Sequence, residues 1–287
     1  MTFDLPLPTE DDLGKRAYAH VARIAELGPR HPGSKARERA ADLIFARLRA
    51  LDLAPMREAW FDEREKIRFE NVRCRLTGNT NKCLLITTHY DTKLELPESR
   101  RDGDGPFVGV NDGGSGTGLL LALAEEFAAA GARRPTLELV WFDGEESIPA
   151  QWDLDRALYG SREFVRRHLQ DGHTYGAMIL LDMVGAKDLC IDREENSSKE
   201  LFAPFEAAVK RLGYDEHFFQ TTCDVDDDHV PFLEAGLPSI DLIQFDDNPH
   251  WHRNSDTLEH VSPRSLGIVG RVVLAALPAI AERVLQK

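Results

Sequence analysis

The sequence predicts an α/β fold with a mostly parallel sheet covered by helices on both faces. Two observations carry this. Several short segments are apolar throughout, as strands buried on both sides must be. These segments alternate with amphipathic helical stretches. A third observation adds the site: residues with chemical potential follow strand after strand, where ligands bind in such sheets.

Taken in order, Asp11–Leu27 and Ser34–Leu51 read as amphipathic helices separated by the turn-rich GPRHPGS. Ile67–Leu76 and Cys83–His89 read as strands joined by TGNTNK. Residues 94–110 are polar and glycine-containing, hence a loop. A helix is expected from Ser115, as N-cap, to Ala130. Leu137–Asp143, Gly176–Asp182 and Ser239–Phe245 read as strands. Helices are expected over Tyr159–Leu169, Ser198–Leu212 and Val230–Ala235, and over Pro263–Leu285 with a kink at Pro278. No repeat or linker divides the chain, so one domain over 1–287 is expected.

The chain has 287 residues and a net charge of −14. Its 42% hydrophobic and 29% charged content is that of an ordinary globular protein. An acidic surface without a Lys/Arg-rich run argues against nucleic-acid partners. Met1–Glu10 has no basic start or apolar core, so it does not read as a leader. No apolar run approaches the roughly 20 residues of a membrane span. Cys74, Cys83, Cys190 and Cys223 form no CxxC pair and read as reduced thiols. A cytoplasmic monomer without membrane association is the expectation for the chain as given, and an exported protein if a leader has been trimmed.

The stretch VWFDGEES places two glutamates directly after a strand. Like charges side by side repel, and burying them requires compensation, which a metal ion supplies. The rest of the chain offers the donors: His89, Asp112, Glu146, Asp182 and His252, all hard-to-borderline ligands suited to zinc. Glu145, beside a ligand, is placed for a general base, its pKa raised by Asp182 and Asp227. Each motif is weak alone. GGSGTG lacks the ending of a P-loop, Ser115 lacks the GxSxG elbow of a serine hydrolase, and Asp226–Asp228 alone would be a solvated turn. Their joint order points to a metal site.

LGPRHPGS, THYDTK, GVNDGGSGTGLLLALAE, VWFDGEES, ALYGSR, LLDMVG, DDHVPFLEAGLPSIDLI and WHRNSDT occur in the order of the zinc-dependent aminopeptidase superfamily. The resemblance implies a phosphorylase/hydrolase-like α/β/α sandwich with a mixed, mostly parallel sheet. Within the superfamily the chain most resembles the glutaminyl-peptide cyclotransferases. Lys93 of HYDTK, the insertion bearing Trp152, DDHVPFL and Trp251 before His252 carry this resemblance. It implies one zinc ion on Asp112, Glu146 and His252. It makes Glu145 the acid/base, with Asp182 and Asp227 as its hydrogen-bond partners. Trp152 and Trp251 would line the pocket of an N-terminal glutamine, with Lys93 beside them.

The chain departs from the animal cyclases at Asp241, where they carry histidine, and in lacking their cysteine pair, since Thr88 precedes His89. HRNSDT reads more like an aminopeptidase ending. The main expectation is cyclisation of N-terminal glutamine on peptides or proteins to pyroglutamate, with release of ammonia. The alternative is an aminopeptidase, with a possible second metal on His89 and Asp182. A third is a catalytically inactive binding module on the same fold.

Overall fold

In β3 (Cys83–His89), β4 (Thr136–Phe142), β5 (Tyr175–Asp182) and β8 (Ser239–Ile243), every residue is buried. Alternation along each strand divides those side chains between two cores. Leu84, Ile86, Leu137, Leu139, Trp141, Ile179 and Leu181 enter one core. Cys83, Leu85, Val140, Phe142, Met178 and Leu180 enter the other. The computed structural model describes residues 7–102, 105–131, 134–169 and 174–285. The first six residues, part of the stretch in which the sequence shows no leader pattern, lie outside them.

The helices covering the first core are α1 (Glu10–Ala25), α2 (Lys35–Ala50), α3 (Gly114–Ala130), α5 (Lys199–Leu212) and α7 (Pro263–Leu285). Phe164 of α4 (Tyr159–His168) and Phe232 of α6 (Val230–Glu234) cover the second. The result is a three-layer α/β/α sandwich. β1 (Met56–Asp62) and β2 (Ile67–Leu76) complete a six-stranded sheet of order β1-β2-β4-β3-β5-β8. β1–β2 and β2–β4 are antiparallel; β4, β3, β5 and β8 run parallel. The carboxyl ends of those four strands therefore open on one edge.

Four details differ from the sequence reading. β1 was not expected: MREAWFD has no clean alternation and is half-exposed, and it is a strand because it pairs with β2 along its whole length. A second sheet joins β6 (Ile191–Glu194) to β7 (Phe218–Cys223). The N-cap of α3 is Gly113, not Ser115; the Ser115 hydroxyl donates to Asn111 O at 2.5 Å and accepts from Val184 N at 3.0 Å. Finally, α7, which covers the expected Pro263–Leu285 with Pro278 inside it, has the length and hydropathy of a membrane span over Pro263–Arg283. Its apolar character serves the core, since 72% of that stretch is buried against the rest of the fold.

Candidate active site

The parallel strands deliver the site. His89 closes β3 and Asp182 closes β5, while Glu145 and Glu146 follow β4 through the Asp143-Gly144 turn. Asp112 lies in the loop that starts α3, and His252 in the loop after β8. Gly113 makes the approach possible. Its φ is +71°, and a Cβ there would stand 2.7 Å from Asp91 O and 2.9 Å from His89 Cε1. His252 and Met183, the residue after Asp182, also adopt positive φ, at +52° and +47°. Backbone strain of this kind concentrates where function constrains the chain.

Two donor groups result, and they share Asp112. Asp112, Glu146 and His252 bring one ligand atom each to within 4.8 Å of one another; so do His89, Asp112 and Asp182. His252 Nε2 lies 3.1 Å from Glu146 Oε1 and 3.4 Å from Asp112 Oδ2. His89 Nε2 lies 3.1 Å from Asp182 Oδ1 and 3.4 Å from Asp112 Oδ1. Asp112 Oδ2 and Glu146 Oε2 are buried without a hydrogen-bond partner among the described residues. Buried carboxylate oxygens left in this state, facing an imidazole, fit a bound cation. The chain therefore carries a candidate metal centre.

The electrostatics agree with that fit. Burial lowers the His252 pKa, but Glu146 beside it more than offsets this, so the imidazole titrates above its ordinary value. Burial likewise lowers His89, and Asp182 raises it further still. Burial pushes Glu146 up, yet His252 and Lys93 hold it below the usual carboxylate range. Glu145 differs: burial drives it well up, and the neighbouring charges of Glu146, Asp227 and Asp228 add to this, against the opposing pull of His89. Adjacent glutamates thus acquire opposite characters, one shifted toward the ionised form as a ligand should be and one with its proton affinity raised. Burial and Asp182 raise Asp227 to about 7.

Glu145, Glu146, Asp182, Asp227 and His252 line a cavity of about 360 Å³. Its walls include Trp152, Met183, Val225, Ile243, Phe245 and Trp251. Trp152 is 40% exposed at the mouth, on the insertion that Ile148 N→Arg156 O (2.9 Å) ties off. Lys93 is buried beneath it, donating to Ser147 O at 2.8 Å and lying 3.8 Å from Glu146 Oε2. The Trp251 indole lies 4.6 Å from the Phe245 ring, with the Arg100 guanidinium over its face at 4.5 Å.

Nine of the ten residues expected at the site, Lys93, Asp112, Glu145, Glu146, Trp152, Asp182, Asp227, Trp251 and His252, line this one cavity. His89 stands behind it, against Asp112 and Asp182. The hydrogen bond of Asp182 goes to His89, and Asp227 Oδ1 accepts from Asp228 N at 2.5 Å. Asp227 acts on Glu145 through its charge. Asp241 is fully buried behind the cavity, 3.9 Å from His229 Nδ1.

The sequence reading gave no role to Arg30, Asp91 or Asp256. Asp91 accepts from Glu145 N at 3.2 Å and Glu146 N at 3.3 Å. Asp256 accepts from Asn111 N at 2.8 Å and Asp112 N at 3.1 Å. Each carboxylate spans two consecutive amides of a ligand-bearing turn. Side chains bonded to backbone leave no spacing signature, so only their presence in THYDTK, LGPRHPGS and WHRNSDT could have flagged them.

Residues 71–277 match the model of peptidase family M28. The fold superposes on the crystal structure of Acidobacteriales bacterium glutaminyl cyclase with a TM-score of 0.84 and 31% identity, over 94% of this chain and 95% of that one. Porphyromonas gingivalis glutaminyl cyclase gives a TM-score of 0.83 and 27% identity, over 92% and 97%. A glutaminyl-peptide cyclotransferase-like protein of Bos taurus is 29% identical over 235 residues, 73% of this chain but 60% of that longer relative. A family match across most of the chain, joined to a 31% identical structure covered almost end to end, has one meaning: the chain belongs to peptidase family M28 and, within it, to the glutaminyl cyclases.

Proposed function

We infer that the protein is a glutaminyl-peptide cyclotransferase, converting N-terminal glutamine of peptides or proteins to pyroglutamate with release of ammonia. The observation that carries this is the placing of two adjacent glutamates at a cavity bearing Trp152 and Trp251, with Glu146 3.1 Å from the candidate ligand His252 and Glu145 buried beside it with its proton affinity raised. The metal proposed is a single zinc ion held by Asp112, Glu146 and His252, whose donor set suits it. When bound it would supply Lewis-acid polarisation of the substrate γ-carbonyl.

The chain's own residues account for the proton movements. Glu145, ionised, accepts a proton from the substrate α-amine as its nitrogen attacks the carbonyl carbon of the side-chain amide. It then returns that proton to the departing amide nitrogen, which leaves as ammonia while the ring C–N bond remains. Burial and nearby carboxylates give Glu145 a proton affinity suited to both halves of this transfer. Trp152 and Trp251 hold the glutamine side chain folded toward its own amine, so ring closure is a matter of orientation. They also limit access of water, which would otherwise yield glutamate. Burial keeps Glu145 basic, with Glu146, Asp227 and Asp228 as its negative surroundings, while Asp182 acts on Asp227.

One observation favours a second reading. His89 and Asp182 form a donor group with Asp112, which a two-metal aminopeptidase would use. A coupled ammonia assay with a glutaminyl peptide tests the proposal. Ammonia released well above the uncatalysed rate, and abolished by a strong chelator, is the expected result. Ammonia at the uncatalysed rate from zinc-loaded protein would contradict it.

A further inference from the structure

Arg30 lies between α1 and α2, far in sequence from every candidate ligand, yet it is fully buried behind Asp112. Its guanidinium donates only to backbone carbonyls: Nε to Tyr90 O at 2.8 Å, Nη1 to Val108 O at 2.7 Å, and Nη2 to Gly109 O at 2.7 Å and Asp112 O at 3.4 Å. Its own N–H donates to Thr92 Oγ1 at 2.9 Å. Among the described residues it forms no ion pair. A buried cation without a contacting carboxylate is costly. Here its charge faces a carboxylate-rich centre across one layer of peptide groups.

Asp256 grips the same loop from the opposite side. Its two oxygens accept from Asn111 N and Asp112 N, while Arg30 takes the Asp112 carbonyl. Both polar ends of the Asp112 backbone are therefore held by buried, charged side chains. Asp256 also lies four residues after His252, in a tight turn closed by Asp256 N→Arg253 O at 3.0 Å. One carboxylate thus joins the loop of one candidate ligand to the loop of another.

We propose that Arg30 and Asp256 are positioning residues. They form a two-sided clamp that holds Asp112 against His252 at metal-binding separation before any ion arrives. The proposal rests on the metal-site reading above and goes beyond its ligand set. A preset site spares the ion the cost of ordering two loops, so the clamp acts on metal affinity. Outer partners of ligands commonly change affinity by about 10–100-fold.

The test is zinc affinity of the metal-free full chain, measured by competition with a chromophoric chelator, for Arg30→Lys and Asp256→Asn. Lysine keeps the charge of Arg30 but loses the planar fork; asparagine keeps the shape of Asp256 but loses one acceptor. Arg134→Lys serves as control. Arg134 is also buried and donates to three carbonyls, Leu76 O, Thr77 O and Phe127 O, away from the site. The clamp predicts zinc dissociation constants raised roughly 10–100-fold in both site variants, with kcat recovering as zinc is raised to saturation. It predicts that Arg134→Lys lowers only the melting temperature. Wild-type zinc affinity in the site variants, with lowered melting like the control, would overturn the clamp while leaving the metal site standing. A wild-type chain that takes up no zinc would overturn the site reading and the clamp together.

Discussion

The indole of Trp251 stacks on the imidazole of its neighbour His252, with ring centroids 4.5 Å apart and planes 23° apart. One residue of the cavity wall thereby fixes the ring plane of a candidate ligand, and Phe107 also meets that imidazole, edge-on with centroids 5.9 Å apart. Trp251→Ala is expected to lower kcat/KM for a glutaminyl peptide by about 10–100-fold, the value of one buried aromatic wall. It should also weaken zinc binding. Trp152→Ala, at the exposed end of the cavity, should raise KM by a similar factor while leaving zinc affinity and melting temperature unchanged. Steady-state kinetics with parallel zinc titration separates the two walls.

Glu145→Gln removes the proton carrier and keeps the shape. It is expected to cost about 10²–10⁴-fold in kcat, the usual worth of general acid–base catalysis. Melting temperature should hold or rise, because the change discharges a buried carboxyl whose proton affinity burial has raised. A variant as active as wild type would remove Glu145 from the mechanism.

The metal-free protein should lose stability as pH rises. Burial and Asp182 move Asp227 from an ordinary 3.8 to about 7. Burial and Asp227 likewise hold Asp228 and Asp241 well above the normal range. Between about pH 4 and 7 the unfolded chain has released these protons while the native chain retains them. The native state binds more protons, so the stability present at low pH is lost on going up through this window, by an amount on the order of a few kcal/mol. Thermal melting of chelator-treated protein from pH 5 to 8 checks the sign. Added zinc should stabilise most at the alkaline end, where its ligands are deprotonated.

Asp241 makes this concrete at one residue. It is fully buried, with Asp227, Asp182 and Glu194 as charged neighbours that raise its pKa. Asp241→Asn should therefore raise the melting temperature of the metal-free protein at pH 8, by about 2–4 °C for each kcal/mol relieved. A lowered melting temperature would mean that the Asp241 charge is compensated in the native state.

Much of this site was legible in the sequence because a parallel sheet converts chain position into spatial position. His89, Glu145, Glu146 and Asp182 each end or follow a strand, so they had to meet at one edge. What escaped was whatever depends on partners rather than on pattern. β1 is a strand because β2 offers it an edge, and its own residues alternate poorly. Ser115 looked like a cap by type, but the turn at Gly113 left its hydroxyl to join α3 to the turn after β5 at Val184. Arg30 and Asp256 act on peptide groups of distant loops, which no local spacing records.

The most direct test of the central claim is the identity of the product. A Gln-Xaa-Xaa peptide is incubated with zinc-loaded protein and followed by mass spectrometry against an enzyme-free control. The account predicts enzyme-dependent loss of one ammonia from a peptide that stays otherwise whole. Release of free glutamine would contradict it, and would assign Glu145 and Glu146 to water activation in an aminopeptidase.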